Sequence, residues 1–163
     1  MRKDLAFLAS GRPRVGHSRE ELIERITEVL GRSEWTTAVL AGVGNLGRAL
    51  MCYEGFEPYG MSVAAGFDVH ESLVGRTVGG KSVFHIDELQ NYIAKNNVSI
   101  GIIAVPASCA QDVCDRMVAA GIRGILSFAP VHLSAPPNVV VRHEDFAVSL
   151  AMLAASVEEQ SQK

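Results

Sequence analysis

Three observations on this 163-residue chain predict an α/β fold, a parallel sheet with helices on both faces. Short apolar runs alternate with stretches of helical periodicity along most of its length. The segment Gly42-Val43-Gly44-Asn45-Leu46-Gly47 leaves one such run and enters a helical pattern. The composition, 48% apolar and 20% charged, is that of a globular domain long enough to bury a core.

The first predicted element is an amphipathic helix over 19–30. Ser18 and Glu21 form a capping box, Leu22, Ile23, Ile26, Val29 and Leu30 make the apolar stripe, and Gly31 ends it. Thr37 to Ala41 reads as a buried parallel strand, and a helical pattern runs from Leu46 to about Tyr53. Met61 to Phe67 is the next strand, ending in Asp68. Gly75, Gly79 and Gly80 punctuate short connections before a strand around Lys81 to Phe84. Ile86 to Asn96 reads as a helix and Ser99 to Val105 as a strand closed by Pro106. Ala107 to Ala120 is a helix stopped by Gly121; strands follow at Ile122 to Phe128 and Val139 to Val141. A last helix from Phe146 to about Glu159 spaces Phe146, Leu150 and Leu153 for burial.

Several function classes are excluded. A formal net charge of -3 is not that of a chain that coats nucleic acid. Charged residues interrupt every apolar run short of a membrane span, and no apolar region follows the basic residues near Met1 as a secretory signal would. Cys52, Cys109 and Cys114 form no C-x-x-C pair and, with the histidines, no zinc spacing; reduced thiols in a cytoplasmic protein are expected.

The glycine segment carries the chemistry. G-x-G-x-x-G between a strand and a helix is the arrangement of a Rossmann-type dinucleotide site. Gly42 permits the tight turn, Gly44 lets a pyrophosphate approach the backbone, and Gly47 lets helix and strand pack closely. The helix N-terminus presents amides and a partial positive charge to the phosphates. Asp68 lies 21 residues past Gly47, where a carboxylate accepts the adenosine ribose hydroxyls and repels a 2′-phosphate. This favours NAD(H), although Arg76 downstream offers a cation to NADP(H). Val105-Pro106-Ala107 and Ser127-Phe128-Ala129-Pro130 close strands at their carboxyl ends, where ligands of open parallel sheets sit, and Ser108 is placed to cap the following helix. No histidine stands in a catalytic spacing; His132, after a strand end, is the best acid/base candidate. A binding domain is therefore expected rather than an enzyme. The alternatives are a small NAD-dependent oxidoreductase using His132 and a CoA- or other nucleotide-binding domain of the same architecture.

The run Ala41 to Leu50 resembles the cofactor loop of the redox-sensing transcriptional repressor family Rex. Further segments match in order: Ala65 to Asp68, Val74-Gly75, Gly101 to Ala107 with Ala110-Gln111, Ala120 to Ile122, and Ile125 to Pro130. Arg2 to Leu5, Gly11 and Val15-Gly16 resemble the family upstream. The resemblance implies a homodimeric, non-enzymatic repressor that senses the NADH/NAD+ ratio, with a C-terminal helix swapped into the partner subunit. It implies pyrophosphate contact by Gly42, Gly44 and Gly47, with Val43, Asn45 and Leu46 completing the loop, and ribose contact by Asp68. Val105, Pro106, Ala107 and Phe128 would line the cofactor cleft. Asp145 and Phe146 match a pair near the nicotinamide and the dimer interface. Two positions depart from the pattern: Ser127 stands where the family has asparagine, and His17 where it has tyrosine.

The family also places a winged helix before the Rossmann domain. Residues 1–18 read as its remnant and linker, and 19–163 as the NAD(H)-binding domain with its dimerisation helix. Operator DNA is thus expected as a partner only where the missing winged helix is supplied. The basic stretch of Arg2, Lys3, Arg12 and Arg14 supports only non-specific, salt-sensitive contact. No membrane partner is expected.

Overall fold

The computed structural model describes residues 36–161. The helix expected over 19–30, the basic stretch with its winged-helix remnant, and His17 lie outside them. In chain order the elements are β1 (Thr36–Ala41), α1 (Asn45–Met51), a 3-10 segment (Glu54–Tyr59), β2 (Met61–Asp68), β3 (Thr77–Val78) and β4 (Lys81–His85). A 3-10 turn (Ile86–Glu88) then leads into α2 (Leu89–Asn96), β5 (Ile100–Ile103), α3 (Ala107–Ala119), β6 (Gly124–Ser127), β7 (Val140–His143) and α4 (Phe146–Ser161).

The strands form one sheet in the order β3-β4-β2-β1-β5-β6-β7. Every neighbouring pair is parallel except β3 and β4. That antiparallel edge departs from the wholly parallel sheet expected. Gly79 and Gly80, at φ +56° and +76°, turn the chain back into a hairpin of two residues a side, too short to read from alternation. Without β3, the order is that of a doubly wound sheet whose strand sequence reverses between β1 and β5.

Both faces of the sheet are packed, which is why β1 is apolar from Ala38 to Ala41, where it is buried. Val39 and Ala41 point to one side, against Leu89 and Ile93 of α2 and Val113, Cys114 and Met117 of α3. Leu40 points to the other with Val63, Val83 and Ile102, against Met51 of α1. No helix among the described residues is long and apolar enough to cross a membrane.

Several boundaries move. The helix expected to reach Tyr53 stops at Met51, and the following 3-10 segment, with Pro58 inside it, closes on Gly60 in the left-handed region. β5 is shorter than Ser99 to Val105: the Ala104 amide still donates to Ala41 O at 2.8 Å, and Val105-Pro106 then turns away. β6 begins at Gly124 rather than Ile122, whose amide instead donates to Met117 O at 3.0 Å and closes α3. β7 is displaced toward His143.

The largest correction concerns α4. The sequence spaced Phe146, Leu150 and Leu153 for burial, yet they are 63%, 67% and 61% exposed. Every side chain described on this helix is exposed in the single chain. Its apolar stripe is formed as expected and stands exposed beside the other described residues.

Candidate dinucleotide site

The carboxyl ends of β1, β2 and β5 converge at the point where the strand order reverses. A cavity of about 540 Å³ opens there, lined by Gly42 and Gly44 after β1, Asp68 at the end of β2, and Val105 and Pro106 after β5. Its size and its largely apolar walls suit a small organic ligand.

The three glycines differ in what surrounds them. Gly42 sits at φ +94°, and a Cβ there would overlap the Ala104 carbonyl and lie 2.9 Å from Val105 Cγ1. A Cβ on Gly47 would overlap the Gly42 carbonyl and lie 3.1 Å from Leu40 Cδ2, so close packing of α1 on β1 excludes any side chain. Gly44 is the opposite case: a Cβ would meet nothing within 4 Å, and the residue lines the cavity. Its bare backbone faces space a phosphate can enter, beside the first amides of α1, which have no partner within a helix. Val43 is fully buried, whereas Asn45 is exposed and Leu46 half-buried at the start of α1. None of these three side chains lines the cavity.

Asp68 is 8% exposed. Its Oδ2 accepts the Val43 amide at 2.7 Å and its Oδ1 the His70 amide at 2.9 Å. These bonds tie the carboxylate to the glycine turn and fix its plane. A carboxylate has about four lone-pair sites, so acceptor capacity remains for a pair of ribose hydroxyls. Beyond it the wall is apolar, with Val69, Leu73 and Ile86.

Arg76 does not line this cavity; Arg116 of α3 does. Its Nε lies 2.9 Å from Asp112 Oδ2 and its Nη1 3.2 Å from Asp87 Oδ1. The i,i+4 spacing of Asp112 and Arg116 was visible in the sequence, but such pairs usually mark a solvated helix face.

The remaining expected residues lie elsewhere. Ala107 is exposed at the start of α3, outside the cavity lining. Ser108 does not cap α3: Pro106 holds the capping position without a side-chain bond, and Ser108 Oγ lies 3.7 Å from Cys109 Sγ. Ser127 is fully buried, and its Oγ accepts the Ala129 amide at 3.3 Å, bracing the exit of β6. Phe128, just past β6, meets Phe146 with ring centroids 5.6 Å apart. Asp145 Oδ1 accepts the amides of Ala147 at 2.8 Å and Val148 at 3.1 Å, which begins α4. Phe128, Asp145 and Phe146 thus form a second group at the root of α4, separate from the cavity lining. His132 stacks on His143 at 5.5 Å, and neither lines the cavity. Among the described residues, no group of three or more His, Cys, Asp and Glu is placed to hold a metal.

Comparison with known proteins agrees with this architecture. The CoA binding domain family matches residues 33–131. The redox-sensing transcriptional repressor Rex of Streptomyces avermitilis is 46% identical over 155 residues, covering 94% of this chain and 62% of that protein. The chain therefore spans about three fifths of that relative's length. The Rex of Carboxydothermus hydrogenoformans is 41% identical over 158 residues, covering 96% of this chain and 76% of the relative. Among solved structures, the Rex-family repressor RSP in complex with β-NAD+ and operator DNA superposes with a TM-score of 0.80 at 31% identity, covering 99% of this chain and 75% of that one. RSP in complex with β-NADH gives 0.80 at 31%, covering 88% and 69%. On a domain of the CoA-binding family, this chain belongs to the Rex redox-sensing transcriptional repressors.

Proposed function

We propose that the chain is an NAD(H)-sensing domain that acts in a Rex-type repressor rather than as an enzyme. The observation that carries this reading is the cavity at the strand reversal, lined by Gly42, Gly44 and Asp68, whose carboxylate is braced by the Val43 and His70 amides. The similar RSP structures contain β-NAD+, β-NADH and operator DNA, which supports the same ligands for this chain and the same partner for the whole repressor.

The adenosine half is common to both redox states, so the cavity residues bind NADH and NAD+ alike. Only the nicotinamide differs, charged in one state and neutral in the other. A ligand shifts an equilibrium only through differential affinity for its two states, so the nicotinamide must touch something that moves. The Phe128–Phe146 contact joins the carboxyl edge of the sheet to the root of α4. On α4, Phe146, Val148, Leu150, Met152 and Leu153 are all more than half exposed. An apolar surface of this kind marks an interface, here with a second copy of the chain. The nicotinamide state then biases how two subunits sit through Phe128, Asp145 and Phe146.

Titration of the purified chain with NADH and NAD+, followed by ligand fluorescence and calorimetry, tests this. NADH should bind much more tightly, NAD+ should compete weakly, and no carbonyl substrate should be turned over. Binding of neither dinucleotide would remove the reading. The description of the matched domain family favours a second reading, a CoA site, and displacement of NADH by CoA at lower concentration would support it instead.

A further inference from the structure

The cavity wall carries a cation that is already matched. Arg116 lines the same space as Asp68, His70 and Leu73. Two carboxylates from different elements hold it: Asp112, one turn earlier on α3, on the Nε edge at 2.9 Å, and Asp87, in the turn after β4, on Nη1 at 3.2 Å. Asp87 also lies 3.3 Å from His85 Nδ1 through its other oxygen. Asp112 itself lines the cavity. Asp68 and Asp112 thus line the cavity with Arg116, and Asp87 holds Arg116 from outside the lining.

A guanidinium in a dinucleotide site would ordinarily welcome a 2′-phosphate, because its planar fork matches phosphate oxygens. Here two carboxylates already lie against it, Asp112 at Nε and Asp87 at Nη1. An incoming phosphate monoester, carrying about -1.5 to -2 charges, would meet a guanidinium whose charge these two carboxylates already offset, beside a third carboxylate, Asp68. Asp68 is the obvious source of discrimination, but removing its charge alone would leave Arg116 engaged.

Resting on the dinucleotide reading above, we propose that Asp112 and Asp87 are specificity-determining residues: by holding Arg116 between them they withhold its charge from a 2′-phosphate. The site therefore rejects phosphorylated adenosine twice, once by Asp68 at the ribose and once by a cation kept occupied. The test uses ADP-ribose and 2′-phospho-ADP-ribose, which differ only in that phosphate and lack nicotinamide. Calorimetry on the unaltered chain should find ADP-ribose the tighter ligand. Asp112→Asn combined with Asp87→Asn should move the affinity ratio toward the phosphorylated ligand by about tenfold or more, as expected for freeing a charged hydrogen-bonding group. Adding Arg116→Gln should remove that gain. Asp112→Asn alone should move the ratio the same way by less, which keeps the test open were the double variant to fold poorly. A ratio that stays within about twofold in both, or a gain that survives Arg116→Gln, overturns the proposal while leaving dinucleotide binding intact. An unaltered chain that binds neither ADP-ribose nor NADH overturns the dinucleotide reading and this proposal with it.

Discussion

The turn between β1 and α1 and the final helix α4 are both rich in small and apolar residues, and the fold treats them in opposite ways. In the turn, Val43 and Gly47 are buried, and Gly42 and Gly47 have no room for a side chain. In α4, Leu150 and Met152 are each 67% exposed. Neighbouring strands of the same chain close the first region, with Gly42 donating to Phe67 O at 2.8 Å and Val43 to Asp68. At the root of the second, the Asp145 cap and the Phe128–Phe146 contact tie it to the sheet. The glycine turn is closed entirely by residues of its own chain. The apolar surface of α4 is left uncovered by the other described residues.

Substitution separates the two regions. Gly47→Val places a branched side chain against the Gly42 carbonyl, so the domain should lose about 3 kcal/mol or more in urea denaturation and NADH binding should vanish. A destabilisation below about 1 kcal/mol would mean that the turn is not closed as described. Leu150→Glu with Leu153→Glu should do the reverse. Self-association measured by sedimentation should weaken by about 100-fold, while the dilute chain keeps its unfolding midpoint, since neither side chain is in its own core. Persistence of a dimer would assign the interface elsewhere.

A smaller effect tests the link between the regions. Phe146→Ala removes the contact with Phe128, and the NADH/NAD+ affinity ratio should fall by about three- to tenfold, the size of a modest coupling energy. Binding of ADP-ribose should be unaffected. An unchanged ratio together with unchanged self-association would remove the coupling role.

The smallest prediction concerns the core that supports both. Burial under the sheet, with a lesser contribution from the charge of Asp115, pushes the Cys114 thiol above its ordinary range. The folded state thus keeps a proton that the unfolded chain gives up earlier as pH rises. The associated stability is complete below the ordinary thiol range and is lost as pH climbs through the raised value of the folded state. Denaturation from neutral to strongly alkaline pH should show this decline, reduced in Cys114→Ala. Iodoacetamide near pH 8 should modify the exposed Cys52 and Cys109 and reach Cys114 only on unfolding.

How far the site could be read from residues alone follows from how local its determinants are. The placement of the three glycines and Asp68 was legible because it depends on a strand, a turn and a helix in immediate succession, with the next strand a fixed distance on. Pro106 was legible as the end of a strand. Arg116 was not, because its membership of the site depends on α3 packing beside the turn after β4, across 29 residues of chain. Ser108 was misread for a related reason: its spacing suited a cap, but Pro106 already sets the entry to α3. The β3 edge was too brief to carry a periodic signal.

By itself, then, the sequence determined the alternation of strand and helix, the glycine turn, the acidic residue that follows it, and the apolar stripe of the last helix. These are set by side-chain periodicity and backbone freedom over a few neighbouring residues. Only the tertiary structure decided which strands are adjacent, and so that the ends of β1, β2 and β5 share one cavity while Phe128 and Phe146 meet at another place. It alone showed that Asp112 and Asp87 occupy Arg116 and that α4 stands exposed. Burial and charge pairing depend on what lies across the sheet, and a one-dimensional pattern specifies which face is apolar without specifying what will cover it.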